Sequence, residues 1–186
     1  MAASAFLILT ERYLKDNSII NDNTDSKILQ PILLLVQDKY LHTILGTDLF
    51  NDIAAEIEAE SVSASNQTLL DNYVLPLVLW YTLFESTPAF KYRYMNKGVM
   101  VKNSENSSAA DLSEIKFLMD KWEANAKMYA ERTTNFLDAN TTTYPLYCSN
   151  TDCDDIKPNK TNYRTSIFLG NQEDPIEERN RRIGKY

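Results

Sequence analysis

The sequence predicts a mainly α fold, with four helices and one β-hairpin in the body and a long extended C-terminal arm. Three observations carry this expectation. Apolar residues recur at helical spacing in four separate stretches before residue 139. Phe90, Tyr92 and Tyr94 alternate with Lys91 and Arg93, and Val99 and Val101 alternate with Met100 and Lys102, around an Asn96-Lys97-Gly98 turn. Alternation on both sides of a glycine-containing connector is a hairpin signal. The last 48 residues have no such period and run from Thr141-Thr142-Thr143-Tyr144-Pro145 to Arg179-Asn180-Arg181-Arg182. The body is therefore assigned to residues 1–138, with the hairpin near 90–102, and the arm to 139–186. A chain of 186 residues with 44% hydrophobic content suits one domain with a real core.

Thr10-Glu11-Arg12-Tyr13-Leu14 reads as a capped single turn, the Thr10 hydroxyl placed to accept an early backbone N–H. A polar connector over 15–24 follows. Leu29, Leu33, Val36, Tyr40 and Ile44 then draw the stripe of a helix over 26–45, widened by Ile28, Ile32 and Leu41. Pro31 is tolerated best near a helix start, which places the first turn later than Ser26. Gly46 can take the left-handed conformation that closes a helix. Thr47 or Asp48 caps a shorter helix to Glu60, with Leu49, Ile53 and Ile57 on one side. Asp52, Glu56 and Glu60 form a like-charged ridge on the other.

After a loop over 61–65, Asn66 is placed to cap the next helix. Residues 69–84 are the most hydrophobic stretch, and 72–84 carry no charge. The run is too short for a bilayer, which needs roughly 20 apolar residues. It reads as a central helix packed on most sides, with a subunit interface needed to complete its burial. Pro76 should kink it and Pro88 should end it. A two-stranded hairpin is marginal alone, so the one that follows must lean on the helices or on another subunit. Ser108 and Asp111 offer a capping-box-like start for a last helix ending near Asp138. At 1.5 Å per residue that helix is roughly 40 Å long. Its stripe is Ile115, Leu118, Trp122, Ala126, Tyr129, Thr133 and Phe136, joined by Leu112, Met119 and Leu137.

A net charge of −7 and a pI near 4.8 argue against general adhesion to nucleic acid or anionic membrane. The charge is uneven: Asp48, Asp52, Glu56, Glu58 and Glu60 crowd together, whereas 157–186 hold seven Lys or Arg against four acids. Cys148 and Cys153 are spaced for a disulfide, half a metal site or two free thiols. With His42 the one histidine, an internal zinc site is short of ligands, and no cofactor or metal is expected. Met1 to Leu9 has no basic leader and an apolar run of four residues, so neither a signal peptide nor a membrane anchor is expected. The N-x-[ST] sites at Asn66, Asn106, Asn140 and Asn159 fit chance in an Asn/Thr-rich chain. No Gly-rich phosphate loop, H-E-x-x-H or nucleophile elbow is present, and His42 beside Leu41 and Ile44 reads as a partly buried structural histidine. Asp152, Asp154 and Asp155 lack the glycine and terminal glutamate of a calcium loop. The expectation is a protein that is not an enzyme.

The order of elements carries a resemblance. Gln37-Asp38 lead into Tyr40-Leu41-x-x-Ile44-Leu45-Gly46-x-x-Leu49-Phe50. Leu69-Leu70-x-x-Tyr73-Val74-x-Pro76-Leu77 and the Asn96-Lys97-Gly98 turn follow before the last helix. Over residues 6–138 this resembles the head–tail connector (adaptor) proteins of tailed bacteriophages. It is closest to the ring protein beneath the portal in crAss-like and other phages of Bacteroides-type bacteria. The resemblance implies a four-helix connector-type bundle and a virion protein at the neck, assembled in the host cytoplasm. It implies a homo-oligomeric ring, usually of twelve subunits, that docks on the portal protein and receives the next tail or neck ring protein. Such a ring passes double-stranded DNA without sequence-specific binding and makes no use of a membrane.

Carried onto this chain, portal or neighbour contact falls to the arm. Tyr144, Tyr147, Tyr163, Phe168 and Leu169 are its aromatic and aliphatic anchors, and Arg179, Arg181 and Arg182 its basic end. A flexible, solubilising tail is the other reading. Asp48, Asp52, Glu56 and Glu60 fit either a channel face that repels DNA phosphate or a solvated outer face. Tyr92, Arg93, Tyr94 and Lys97 fit an intersubunit hairpin or a closed local one. The rival from another class is a non-enzymatic regulatory or peptide-binding helical module with a flexible tail, and cyclic co-assembly with a portal separates the two.

Overall fold

The computed structural model describes residues 6–95, 98–101, 111–148 and 156–158. Five continuous helices account for most of them. α1 is Glu11–Asn17. α2 covers 26–45 as Ser26–Val36, a π segment Gln37–Leu41 and His42–Leu45. α3 is Thr47–Glu58. α4 covers 64–91 as Ala64–Leu69, a π segment Leu70–Val74 and Leu75–Lys91. α5 is Leu112–Ala139, and a 3₁₀ turn, Pro145–Cys148, follows it.

The expected fold class is corrected in three respects, although it is mainly α. The body is not a four-helix bundle, because the N-terminal turn grows into a helix of its own. The Thr10 hydroxyl accepts the Tyr13 N–H, and Lys15 bridges Glu11 while donating to the carbonyls of Asp22 and Thr24. The β-hairpin does not stand as part of the fold. Tyr92–Met95 and Gly98–Val101 run antiparallel, Tyr92 opposite Val101 and Tyr94 opposite Val99. Among the described residues these four-residue segments pair with each other and with no third strand. So short a pair defines no layer. The arm, finally, is not extended from residue 139. The Thr143 and Tyr144 N–H groups turn back onto the Asn140 carbonyl, and Tyr144 and Tyr147 enter the core.

α4 is the axis of the packing, flanked by α5 and α2. Its Leu77 and Val78 are fully buried, with Leu79, Tyr81 and Leu83 nearly so. Tyr81 stacks on Tyr40 of α2 at 3.8 Å, and Trp80 meets Trp122 of α5 at 5.4 Å. Much of the cover of α4 is therefore supplied within the chain. The breaks expected at Pro88 and Pro31 do not occur where expected. Before Pro76 the ladder widens into the π segment, a wider turn adjoining the proline's missing donor. Pro88 does not end α4, which runs on to Lys91. The Ser86 and Thr87 hydroxyls donate to the Leu83 carbonyl beside the gap. Pro31 likewise lies inside α2, which starts at Ser26 because the Asp25 carboxylate accepts the Lys27 N–H.

The remaining helix starts shift by a turn or less. α4 begins at Ala64, with Ser63 as its cap and Asn66 buried inside the first turn. α5 begins after Asp111, whose box partner is Glu114 rather than Ser108. Along α5 cover is uneven, both within the expected stripe and beside it, at Phe117 and Met128. Ile115, Ala126, Thr133 and Leu137 are buried, whereas Leu112, Phe117, Leu118 and Met128 are exposed.

Candidate arm-docking site

Among the described residues, the chain beyond α5 meets the body at two places. At the first, Tyr147 is fully buried and Tyr144 nearly so. The Tyr144 ring stands edge-on to Phe136 at 5.8 Å, and its hydroxyl donates to the Ser65 carbonyl at 2.7 Å. Burial pushes the Tyr144 phenol up from its ordinary pKa. Beside it lies a cleft of about 240 Å³, lined by Asp52, Glu56, Asn66, Thr143, Tyr144 and Leu146 among others.

Two acids of the expected ridge are engaged here by the chain itself. The buried Asn66 amide donates to Glu56 Oε2 at 2.8 Å and to Asp52 Oδ2 at 3.3 Å. Glu56 also accepts from the Ser63 N–H and hydroxyl. The Asn66 bond, with the Ser63 bonds behind it, holds the Glu56 carboxyl below the usual range. Glu60 is exposed at the bend with φ +52, and Asp48 is half-buried in the first turn of α3. The four acids thus form no single exposed stripe. Asp52 and Glu56 pin the α3–α4 corner.

The second place is the α2–α3 corner. Gly46 has φ +78 and ψ 160, a conformation essentially reserved to glycine. The Thr47 N–H donates to the Ile156 carbonyl at 3.1 Å, and the Ile156 N–H donates to Thr47 Oγ1 at 2.9 Å. Pro158 lies so close over Gly46 that a Cβ there would stand 2.7 Å from the proline Cγ. Beneath Thr47, His42 Nε2 is 2.9 Å from Oγ1, and the imidazole stacks on Phe50 at 4.8 Å.

Of the other expected contact residues, Tyr92, Arg93 and Tyr94 lie on the first paired segment, with Lys91 Nζ 5.7 Å from the Tyr92 ring. Lys97, Tyr163, Phe168, Leu169, Arg179, Arg181 and Arg182 lie outside the described residues, as do Cys153 and the Cys148 side chain. Thr47, Ile156 and Pro158 were absent from the sequence-derived contact set. The Lys157-Pro158 dipeptide and the helix-closing Gly46 were visible signals, but nothing in the sequence joined positions so far apart.

A further polar node was also missed. Glu85 of α4 accepts from Lys39 Nζ at 2.7 Å and from the Tyr40 hydroxyl at 2.6 Å. Burial pushes the Glu85 carboxyl up, but the two donors outweigh it and hold it below the usual range. They are two polar bonds locking α2 to α4. Burial raises the neighbouring Tyr81 phenol to about 12. Among the described residues no three His, Cys, Asp or Glu side chains gather as a metal site, and no helix is long and apolar enough to cross a membrane.

The chain belongs to DUF6712, a family of unknown function, whose profile matches residues 41–157. That stretch includes Gly46, Thr47, Ile156 and Lys157 of the second docking place and ends one residue before Pro158. No curated protein and no solved structure matches the chain.

Proposed function

We propose that this protein is a non-enzymatic helical binding module that works by holding extended chain segments against a body sufficient in itself. The observation that carries the reading is the α2–α3 corner. There Ile156-Lys157-Pro158 is held by one main-chain bond, one bond from the Ile156 N–H to the Thr47 hydroxyl, and a proline ring over Gly46. Both bonds use the main chain of the seated segment, so they accept many sequences, and the bare glycine leaves room for a proline ring. A chain ending after Cys148 exposes the corner, and a peptide of residues 151–162 added to it should shift the Gly46 and Thr47 amide resonances. No shift at millimolar peptide would contradict the reading.

The second reading is the connector ring that docks on a portal and passes DNA. It is favoured by the resemblance and by the apolar surface of α5, where Phe117 is 64% and Met128 49% exposed. A contact between ring neighbours would take these side chains out of water. Co-expression with the portal protein of the same genome, followed by particle averaging, tests it. A cyclic assembly on the portal supports the ring, and its absence leaves the lone binding module.

A further inference from the structure

We infer that the groove between the 19–25 connector and the C-terminal end of α4 is the seat of this chain's own Ile167-Phe168-Leu169. The inference deepens the reading of a body that holds extended segments and rests on it, because the arm departs from the corner where Pro158 sits. Two adjoining cavities, of about 210 and 250 Å³, make the groove, and Asn21, Thr24 and Phe90 line both. The smaller is walled by Ile19, Ile20, Leu83 and Trp122. Ile19 is 75% exposed there, and Leu118, one turn before Trp122 on α5, is 39% exposed. Apolar surface framed by polar groups marks an interaction site, and here the frame is Asn21, Asn23 and Asp25. An apolar cavity of about 150 Å³ already takes a benzene ring, so the smaller cavity has room for a phenylalanine ring.

Reach and charge select the occupant. The groove lies at the start of α2, by Asp25 and Ile28, and the corner lies at its end, by Gly46. The length of α2, at 1.5 Å per residue, separates them by roughly 30 Å. From Pro158 to Phe168 an extended chain covers roughly 33 Å. Tyr163, halfway along, falls short, so Ile167-Phe168-Leu169 is the first apolar cluster to arrive. The approach carries Lys160 and Arg164 and no acid between Asn159 and Gly170. Asp22 and Asp25 stand exposed in the loop that lines the groove, while Lys15 of the same connector is engaged by Glu11. Lys27, exposed in the first turn of α2, offsets part of that charge. The acids therefore guide register and association rate more than affinity. Joined to the body through a short link, the segment meets its own groove at an effective concentration on the order of millimolar, above that of a second copy in dilute solution. A partner that needs this groove must displace the arm first.

The test compares the full-length protein with a chain ending after Pro158, which loses none of the described residues. Both carry ¹³C at the isoleucine methyls and ¹⁵N throughout. The Ile19 methyl and the Trp122 indole N–H should resonate at different positions in the two proteins. A peptide of residues 160–172, added to the shortened chain, should move both signals toward their full-length positions. The same peptide with Phe168→Ala should bind roughly tenfold more weakly. In the full-length protein, Phe168→Ala with Leu169→Ala should bring both signals to their positions in the shortened chain. Labelled shortened chain mixed with an equal, micromolar amount of unlabelled full-length protein should show no shift. Identical Ile19 and Trp122 signals in the full-length and shortened proteins would overturn the seat, as would full-length positions that persist in the double variant. A shift in the mixture would give the groove to a second copy's arm and overturn docking within the chain. The Gly46 and Thr47 amides report the corner in the same spectra, so the two readings fail on different signals.

Discussion

Tyr144 and Tyr147 return to the helical body by burial, whereas Ile156 and Pro158 return by two hydrogen bonds and a ring laid over a glycine. The tyrosines lie in the core with Phe136 and Leu137. Ile156 remains 40% exposed although it sits at the corner. Fully burying a large apolar side chain stabilises by roughly 1.5–3 kcal/mol. A typical net hydrogen bond gives about 1 kcal/mol, less where water competes at the surface. The first return is therefore part of the fold. The second is a contact of a strength that a partner can exchange.

The sharpest way to break the comparison is to end the chain on either side of the first return. A protein ending after residue 138 leaves the seats of both tyrosines empty, and its urea unfolding free energy should fall by on the order of 5 kcal/mol. One ending after residue 148 should lose less than about 1 kcal/mol, because only the weak contact has gone. Equal loss in the two proteins would dissolve the distinction. Tyr147→Ala alone should cost about 3–5 kcal/mol in the same assay, as buried aromatic truncations do.

How much of this was legible in the sequence follows from the same contrast. The stripes of α2 and α5 and the cap at Thr10 were readable because periodicity and capping act over a few residues, whereas the box start of the last helix was read one turn early, at Ser108, and Asp111 is the cap. Tyr144 and Tyr147 stood out as anchors by type, but the sequence sent them to a partner. What turns them inward is a bend on the Asn140 carbonyl that carries no distinctive signal. Asn66 looked like a cap because Asn caps helices, yet Ser63 takes that place and leaves the Asn66 amide to pin Asp52 and Glu56. Pro88 looked like an end because proline lacks the N–H that an interior helical turn uses, yet α4 runs on to Lys91. The Thr47–Ile156 pair spans 109 residues, a separation that no local pattern encodes.

Gly46→Ala tests the second return and the corner beneath it together. Its backbone conformation costs a residue with a Cβ about 1–3 kcal/mol, and the same Cβ would strike Pro158. The expected result is a loss of that size in unfolding free energy, together with loss of Ile156 amide protection. If stability fell while protection stayed, Pro158 would not depend on the bare glycine.

Acid separates the body from its attachments in another way. Glu85 is held below the ordinary carboxyl range by Lys39 and Tyr40 against the opposing push of burial. A carboxyl with a depressed folded-state pKa stabilises at neutral pH, and that share is lost as pH falls through its folded value, hence below about 4.5. With Lys39 half-exposed, the share should be about 1 kcal/mol at most. Urea midpoints from pH 7 to pH 3 should drop more steeply in the natural protein than in Glu85→Gln. Parallel curves would place the acid sensitivity elsewhere, with Glu56 at the α3–α4 corner the next group to replace.

Pro158→Ala should have the smallest effect on the whole and the clearest on the part. The residue is half-buried and contributes no core side chain, so global unfolding should change by less than about 0.5 kcal/mol. The substitution removes the ring over Gly46 and frees the backbone on either side of 158, which raises the entropy that seating must overcome. Ile156 protection should therefore fall severalfold while the unfolding midpoint stays in place. Such a split would mean that the segment is held locally, by a contact that opens without the body opening. If protection and midpoint fell together, the Ile156 seat would belong to the same cooperative unit as Tyr147, and the two returns would differ in degree only.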